Sequence, residues 1–290
     1  MKDYIKLIRI KHWLKNLLVF LPIFFSINIL NINLLETILL SFLAFSFVSS
    51  IVYIINDIND LESDKLHPIK KERPLASGKI SISNAKKMIL ILSILEIIVM
   101  IFLFKRSNNI ITFIIPITYL ILNLLYSKFL KNIPIIDVVV LVLGFLLRVI
   151  YGGAVINIEV SKYLYLMIIF GSFYLGFGKR RNEIIKNGEK GRKVLKIYNK
   201  DFLDKNMYVA FSLAIVSYTL WCVDPMTIER IGNDYIFWTI PVLIVLLQLY
   251  SLNIEGNSHG DPIEVILSDK KLIIGSLIYG LLLVVIIYVL

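Results

Sequence analysis

Long apolar stretches separated by short polar segments make up most of the chain. They predict nine membrane-spanning helices, at about residues 17–31, 34–55, 87–104, 110–126, 136–156, 163–178, 207–223, 235–252 and 272–290. Several sit near the lower length limit for a span, about 17 residues. The longest connections, 56–86 and 179–206, show no soluble domain, linker or low-complexity segment. The pattern therefore predicts an all-α, polytopic membrane protein with one integral membrane domain over 1–290. Residues 1–16 place Ile5, Ile8 and Trp13 among Lys2, Lys6, Arg9, Lys11 and Lys15. That mixture suits an amphipathic helix lying at the membrane interface, anchored by Trp13. The apolar run that follows ends without a small-residue cleavage site and reads as a retained first span.

Composition agrees with the pattern. The chain has 290 residues, 58% of them hydrophobic, and its mean hydropathy is +0.79. The net charge of +10 would suggest a nucleic-acid ligand in a soluble protein. Here the loops account for it, and no nucleic-acid partner is expected. One alternate set of connections, starting with the N-terminus, carries nearly all of the 31 Lys and Arg residues. The opposite set carries only Lys105, Arg106, Lys162 and Arg230. By the positive-inside rule the N-terminus is cytoplasmic and the C-terminus outside, in a plasma (inner) membrane. Cys222 is the only cysteine, which excludes an intrachain disulfide and a cysteine-based metal site.

The stretch richest in chemistry is Asn56-Asp57-Ile58-Asn59-Asp60-Leu61-Glu62-Ser63-Asp64, at the cytoplasmic end of the second span. On one helix Asp57, Asp60 and Asp64 fall at i, i+3 and i+7, so a single face carries three carboxylates, with Asn56 at its edge. Like charges packed this closely repel. Mg²⁺, which takes one or two carboxylates plus substrate phosphates, would relieve the conflict. The alternative is a solvated acidic helix end. The loop that follows holds Lys65, His67, Lys70, Lys71, Arg73 and Lys79. These are cations for phosphate oxygens, or for anionic membrane lipids. Arg73, before Pro74, is the best candidate for a bidentate contact.

Further candidates lie at other span ends. Tyr126, Lys128 and Lys131 close the fourth span and Asp137 opens the fifth. The lysines and Asp137 form either a substrate contact or a helix-end ion pair, and Tyr126 doubles as an interfacial aromatic. Arg148 lies deep in the fifth span, where a charge marks a functional or paired site, or bonds a neighbouring helix carbonyl. Gly176 and Gly178 allow close approach at the end of the sixth span, just before Lys179, Arg180, Arg181 and Glu183. Loop 190–205 adds Lys190, Arg192, Lys193, Lys196 and Lys200, with Asp201 and Asp204 as candidate caps. Asp261 before Pro262 reads as a helix N-cap. No Ser-His-Asp or Cys-His set is evident, so the chemistry needs little proton transfer. Metal-assisted departure of a diphosphate fits. Gly152-Gly153 suits packing within one subunit or between copies in a homo-oligomer.

A nine-span chain with N-D-x-x-D-x-x-x-D after its second span resembles the UbiA-type prenyltransferase superfamily. Arg9-Ile-Lys-His-Trp13-Leu-Lys15-Asn16, Arg73-Pro74-Leu-Ala-Ser-Gly78, Tyr126 through Lys131, Gly178 through Glu183 and Gly260-Asp261-Pro262 are similar to its decaprenyl-phosphate phosphoribosyltransferase branch. The resemblance covers nearly the whole chain. It implies a UbiA-like helical bundle with a cytoplasmic active site, and Mg²⁺-dependent transfer of 5-phosphoribose from phosphoribosyl pyrophosphate to a polyprenyl phosphate. Asp57 and Asp60 would then be catalytic, and Asn56, Asp57, Asp60 and Asp64 would hold the metal. Lys15, Asn16, Asn56, Arg73, Tyr126, Lys128, Lys131, Asp137, Arg148, Lys179, Arg180, Arg181 and Glu183 would contact substrates. One departure stands out: Lys179-Arg180-Arg181 occupies the place where prenyl-diphosphate enzymes carry a second Asp-rich motif. A basic cluster there suits an extra phosphate monoester. Two other readings remain, transfer of an isoprenyl group from its diphosphate and transport of phosphorylated metabolites.

Overall fold

The structure, a computed structural model, describes residues 2–66, 70–187, 193–256 and 262–290. His67, Lys190, Arg192 and Asp261 lie outside the described residues. Among the described residues every regular element is helical. In chain order these are α1 (Lys2–Leu7), a 3₁₀ segment (Ile10–Phe20), α2 (Leu21–Phe25), α3 (Ile32–Asn59), α4 (Leu61–Leu66), α5 (Ile82–Ser107), α6 (Ile111–Lys128), α7 (Ile136–Val155), α8 (Lys162–Asn187), α9 (Lys200–Val223), α10 (Pro225–Ile231), α11 (Ile240–Glu255), α12 (Pro262–Ser268) and α13 (Lys270–Tyr288).

Seven of the described helical stretches are long and apolar enough to cross a membrane: α3, α5, α6, α7, α9, α11 with the 3₁₀ turn before it, and α13. α8 has 26 residues, and its last turns carry the charges from Lys179 to Lys186. The first expected span, 17–31, is not one helix. A 3₁₀ segment passes into the short α2 at Pro22, and the backbone then turns through Ile27 with φ 61°. The amphipathic segment is likewise divided, because Arg9 adopts φ 53° between α1 and the 3₁₀ segment. Caps set several other boundaries. Asn31 accepts from the Leu34 N–H at 3.3 Å, Ser81 from Asn84 at 3.2 Å, and Asn199 from Phe202 at 2.7 Å. Each satisfies an orphan N–H of a helix start.

The chain forms two compact units. The first comprises Met1–Ile23, Asn31–Lys128 and Leu147–Ile158, the second Phe24–Leu30, Phe129–Leu146 and Glu159–Leu290. In the first, Val19, Ile38, Phe45, Val48, Leu103, Tyr119 and Tyr151 form one buried cluster, and Leu7, Ile51, Ile54, Leu75, Ile80 and Leu92 another. Outward positions of α5, such as Leu90, Ile94, Ile97 and Ile101, are exposed apolar groups, as expected where lipid is the solvent. In the second unit, α8 packs along α9 around Val138, Tyr174, Leu203, Met207 and Ile254. A separate cluster joins Tyr218, Trp221, Ile236 and Ile286.

Candidate active site

The acidic stretch spans two helices, not one. α3 stops at Asn59, Asp60 sits at φ −93°, ψ 8°, and α4 restarts at Leu61. The hydrogen-bond ladder nevertheless passes through the break: Asp60 N–H donates to the Asn56 carbonyl at 2.9 Å, and Asp64 N–H to the Asp60 carbonyl at 2.8 Å. Asp57 and Asp64 therefore keep a common direction, and both are buried. Two buried carboxylates this close require positive charge nearby. Arg73 supplies it by bridging them, its Nη1 donating to Asp57 Oδ1 at 3.1 Å and Asp64 Oδ2 at 2.6 Å. Arg9 Nη2 donates to the same Asp57 oxygen at 2.5 Å, and Lys70 Nζ lies 3.9 Å from Asp64 Oδ1.

Local structure delivers both arginines. After the 3₁₀ turn Lys70–Glu72, the chain doubles back at Gly78, whose φ of +74° suits glycine. Ile80 N–H closes that turn on the Pro74 carbonyl at 3.0 Å. Leu75 and Ile80 anchor the turn among Leu7, Ile51 and Ile54, which pins Arg73 beside α3. Leu7 anchors α1 in the same cluster. The left-handed Arg9 then carries its guanidinium over the Tyr53 ring, 4.8 Å from the centroid, and onto Asp57. Arg9 appeared in the sequence only as part of the first basic motif. Its role against Asp57 depends on a contact between residues 48 positions apart.

Among the described residues no three His, Cys, Asp or Glu side chains assemble as a metal cage. The oxygen donors around Asp57 still fit a hard cation that shares its coordination with a ligand's phosphates. Asp57 and Asp64 present buried carboxylates, Asp60 lies between them in the chain, and the buried Asn56 Oδ1 has no hydrogen-bond partner.

A second polar group of the first unit lies further along its helices. Arg148, thirteenth residue of α7, is 4% exposed. Its Nε donates to Asn16 Oδ1 at 2.8 Å and its Nη2 to the Tyr119 hydroxyl at 3.2 Å. Its guanidinium carbon stands 4.8 Å from the Phe45 ring centroid and 5.0 Å from that of Tyr119. Asn16 is itself oriented by α3, its amide donating to Ser46 Oγ at 3.0 Å and Ser49 Oγ at 3.3 Å. Next to these, Trp13 Nε1 donates to Ser50 Oγ at 3.0 Å. Ser46, Ser49 and Ser50 were not singled out from the sequence, although their i, i+3, i+4 spacing in an apolar run marks an inward face. Tyr126 is half-buried on α6, and Lys128 is exposed at its end.

The basic cluster of the second unit is built of ion pairs. Arg180 is fully buried; its Nε donates to Asp137 Oδ2 at 2.5 Å and its Nη1 to Glu183 Oε2 at 2.8 Å. Tyr198 completes the Asp137 carboxylate, donating at 2.7 Å, and accepts the Ile135 N–H. Burial, then the hydrogen bond to Asp137, pushes the Tyr198 phenol above its ordinary pKa. Arg181 Nε donates to Asp204 Oδ1 at 2.5 Å and its Nη1 to the Ile254 carbonyl at 3.4 Å. Asp137, read as either a substrate contact or half of a helix-end ion pair, pairs with Arg180. Asp204 pairs with Arg181, while Asn199 serves as the helix cap. Lys179 is half-buried at the same helix end, and Lys131 is half-buried in the 3₁₀ turn Leu130–Asn132. The thinning expected at Gly178 is realised: a Cβ there would stand 2.9 Å from Ile254 Cδ1.

The UbiA prenyltransferase family matches residues 17–267. The chain belongs to that family. A decaprenyl-phosphate phosphoribosyltransferase from Corynebacterium glutamicum is 32% identical over 98% of this chain and 86% of its own length. One of the same name from Mycolicibacterium smegmatis is 30% identical over 92% of this chain and 87% of its own. Among solved structures, a UbiA homolog from Archaeoglobus fulgidus bound to GPP and Mg²⁺ matches with a TM-score of 0.68 at 21% identity, covering 99% of this chain and 100% of that one. This UbiA-family member is thus a multi-pass membrane transferase with the fold its motifs imply.

Proposed function

We propose that the enzyme transfers 5-phosphoribose from phosphoribosyl pyrophosphate to a polyprenyl phosphate and releases pyrophosphate. The observation that carries this reading is the buried Asp57–Asp64 pair clasped by Arg9 and Arg73, in a chain 32% identical to a decaprenyl-phosphate phosphoribosyltransferase. The arrangement suits a diphosphate: carboxylates for a cation, and arginines for the phosphate oxygens. When bound by Asn56, Asp57, Asp60 and Asp64, Mg²⁺ would neutralise charge on the departing pyrophosphate.

The chain's own groups do the rest. Arg73 and Lys70 line the cytoplasmic turn and take the outer pyrophosphate oxygens. Arg9, held over the Tyr53 ring, takes an inner one. An oxygen of the lipid phosphate bonds to C1 of the ribose as the C1–oxygen bond to pyrophosphate breaks. The attacking phosphate is already ionised, so no base is needed. The acidic end faces the cytosol, where a soluble donor arrives.

The test is purified protein with Mg²⁺, labelled phosphoribosyl pyrophosphate and polyprenyl phosphate, scored for labelled lipid. A labelled lipid dependent on both substrates and on Mg²⁺ is expected. No product from these, with turnover of a prenyl diphosphate in a parallel reaction, would replace this reading with isoprenyl transfer. Accumulation of unchanged phosphoribosyl pyrophosphate inside liposomes would replace it with transport.

A further inference from the structure

Arg9 reaches Asp57 from a strained backbone. Its φ of 53° and ψ of 51° lie in the left-handed region, where a residue other than glycine stays only if its surroundings hold it. Those surroundings come largely from one face of α3. Ser50, Tyr53 and Asp57 fall at i, i+3 and i+7 of that helix. Asp57 receives the tip of the guanidinium at 2.5 Å. Tyr53 presents its ring 4.8 Å from the guanidinium carbon. Ser50 meets the backbone. His12 N–H donates to the Arg9 carbonyl at 2.8 Å, one residue short of the partner an α-helix would give it, which is Ile8. The Ile8 carbonyl thereby leaves the helical ladder, and Ser50 Oγ donates to it at 2.8 Å.

We infer that Ser50 and Trp13 are positioning residues for Arg9, holding it in the backbone state that delivers its guanidinium to a diphosphate bound at Asp57. Trp13 Nε1 donates to Ser50 Oγ at 3.0 Å. That bond fills a lone pair of the hydroxyl and leaves its hydrogen to two carbonyls, Ser46 and Ile8, each at 2.8 Å. The bond to Ser46 is one that a serine in any helix can make. The other two join Ser50 to positions 37 and 42 residues away, and both act on the segment that carries Arg9. The Trp13 indole is itself fixed, standing edge-on to Phe42 and Phe47 with centroids 6.3 and 6.2 Å away. On the other side of Arg9, the fully buried Leu7 anchors the end of α1. Arg9 is thus bracketed by Leu7, by the Ser50 bond at Ile8 and by Trp13. Removing the Ser50 hydroxyl frees the Ile8 carbonyl to take the His12 N–H. Arg9 then relaxes toward the right-handed helical region, and its side chain leaves Asp57.

The inference rests on the proposed function only in taking a diphosphate as the ligand at Asp57. Its test is therefore a binding measurement, calorimetric titration of inorganic pyrophosphate with Mg²⁺ into the full chain in nanodiscs. Arg9→Gln should weaken binding about 10- to 100-fold, the loss expected for a charge-assisted hydrogen bond, with Arg73 and Lys70 keeping it measurable. Ser50→Ala should weaken it about tenfold, the result of lowering the competent Arg9 conformer to about a tenth of the population. Trp13→Phe, which keeps a ring and removes the N–H, should weaken it about threefold. A merely structural role is separated by a double-mutant cycle. In the Arg9→Gln background, adding Ser50→Ala or Trp13→Phe should change affinity by less than about twofold. Ser41 is the control: it is equally buried on α3, and its hydroxyl bonds the Thr37 carbonyl of the same helix at 2.7 Å. Ser41→Ala should stay within about twofold of wild type. If Ser50→Ala does not fold, Trp13→Phe carries the cycle. Folded variants of Ser50 and Trp13 that bind as wild type overturn the inference. So does a loss that persists undiminished in the Arg9→Gln background, or a wild type that binds no pyrophosphate. Binding that follows the cycle in a protein that transfers no 5-phosphoribose would sink the proposed reaction and leave the positioning role standing.

Discussion

Asp57 receives two guanidinium groups on one carboxylate oxygen, so its charge and its shape are separable by mutation. Asp57→Asn keeps the shape and removes the charge. We expect a fall in kcat on the order of 100-fold or more, with thermal unfolding in detergent within a few degrees of wild type; Asp60→Asn should behave alike. Full turnover in either variant would remove the acidic end from the mechanism. Asp137 presents the opposite case. Its carboxylate and Arg180 are both wholly buried, so Asp137→Ala removes one of the two carboxylates that face this buried cation and should cost about 3–5 kcal/mol. Adding Arg180→Met should restore much of that stability, which denaturant titration measures. Tyr198 donates to the same carboxylate. With its phenol pKa raised, its stabilising contribution is complete below the ordinary phenol pKa and is lost only as pH rises through the raised value. Tyr198→Phe should therefore lose the same amount, about 1 kcal/mol, at pH 6.5 and at pH 8.5.

Between elements, two glycines mark close approaches with different outcomes. A Cβ on Gly152 of α7 would collide with the backbone carbonyl of Val19, which cannot move without shifting the 3₁₀ segment that carries Asn16. Gly152→Ala should cost about 1–3 kcal/mol and lower activity with it. At Gly178 of α8 the nearest atom is the tip of the Ile254 side chain, which can rotate. Gly178→Ala should stay within about 1 kcal/mol of wild type, and a loss as large as that at position 152 would refute the distinction. Unfolding midpoints of the two variants, measured side by side, decide it. The long spans were readable at this scale because their apolar runs exceed what a soluble helix needs. The first segment was not. Its hydropathy resembles that of a span, while Pro22 and the left-handed Arg9 and Ile27 divide it, and hydropathy does not register a backbone break. The same limit hid the interruption at Asp60.

For the molecule as a whole, the charge asymmetry of the loops predicts which side each faces. Replacing Cys222 with Ser, then placing single cysteines at Lys71 and Arg230, gives two reporters. A membrane-impermeant maleimide should label position 71 only from the cytosolic side and position 230 only from outside. The reverse pattern would invert the topology and move the acidic end away from its donor. The all-helical membrane architecture, the family and the acidic motif were all legible in the residues, because hydropathy and i, i+3, i+7 spacing are local properties of the chain. Which cation meets which carboxylate was not. Arg9 with Asp57, Arg180 with Asp137, Arg181 with Asp204 and Arg148 with Asn16 join positions from 23 to 132 residues apart. Pairings of that kind depend on which helix faces pack together, and only the tertiary structure decided them.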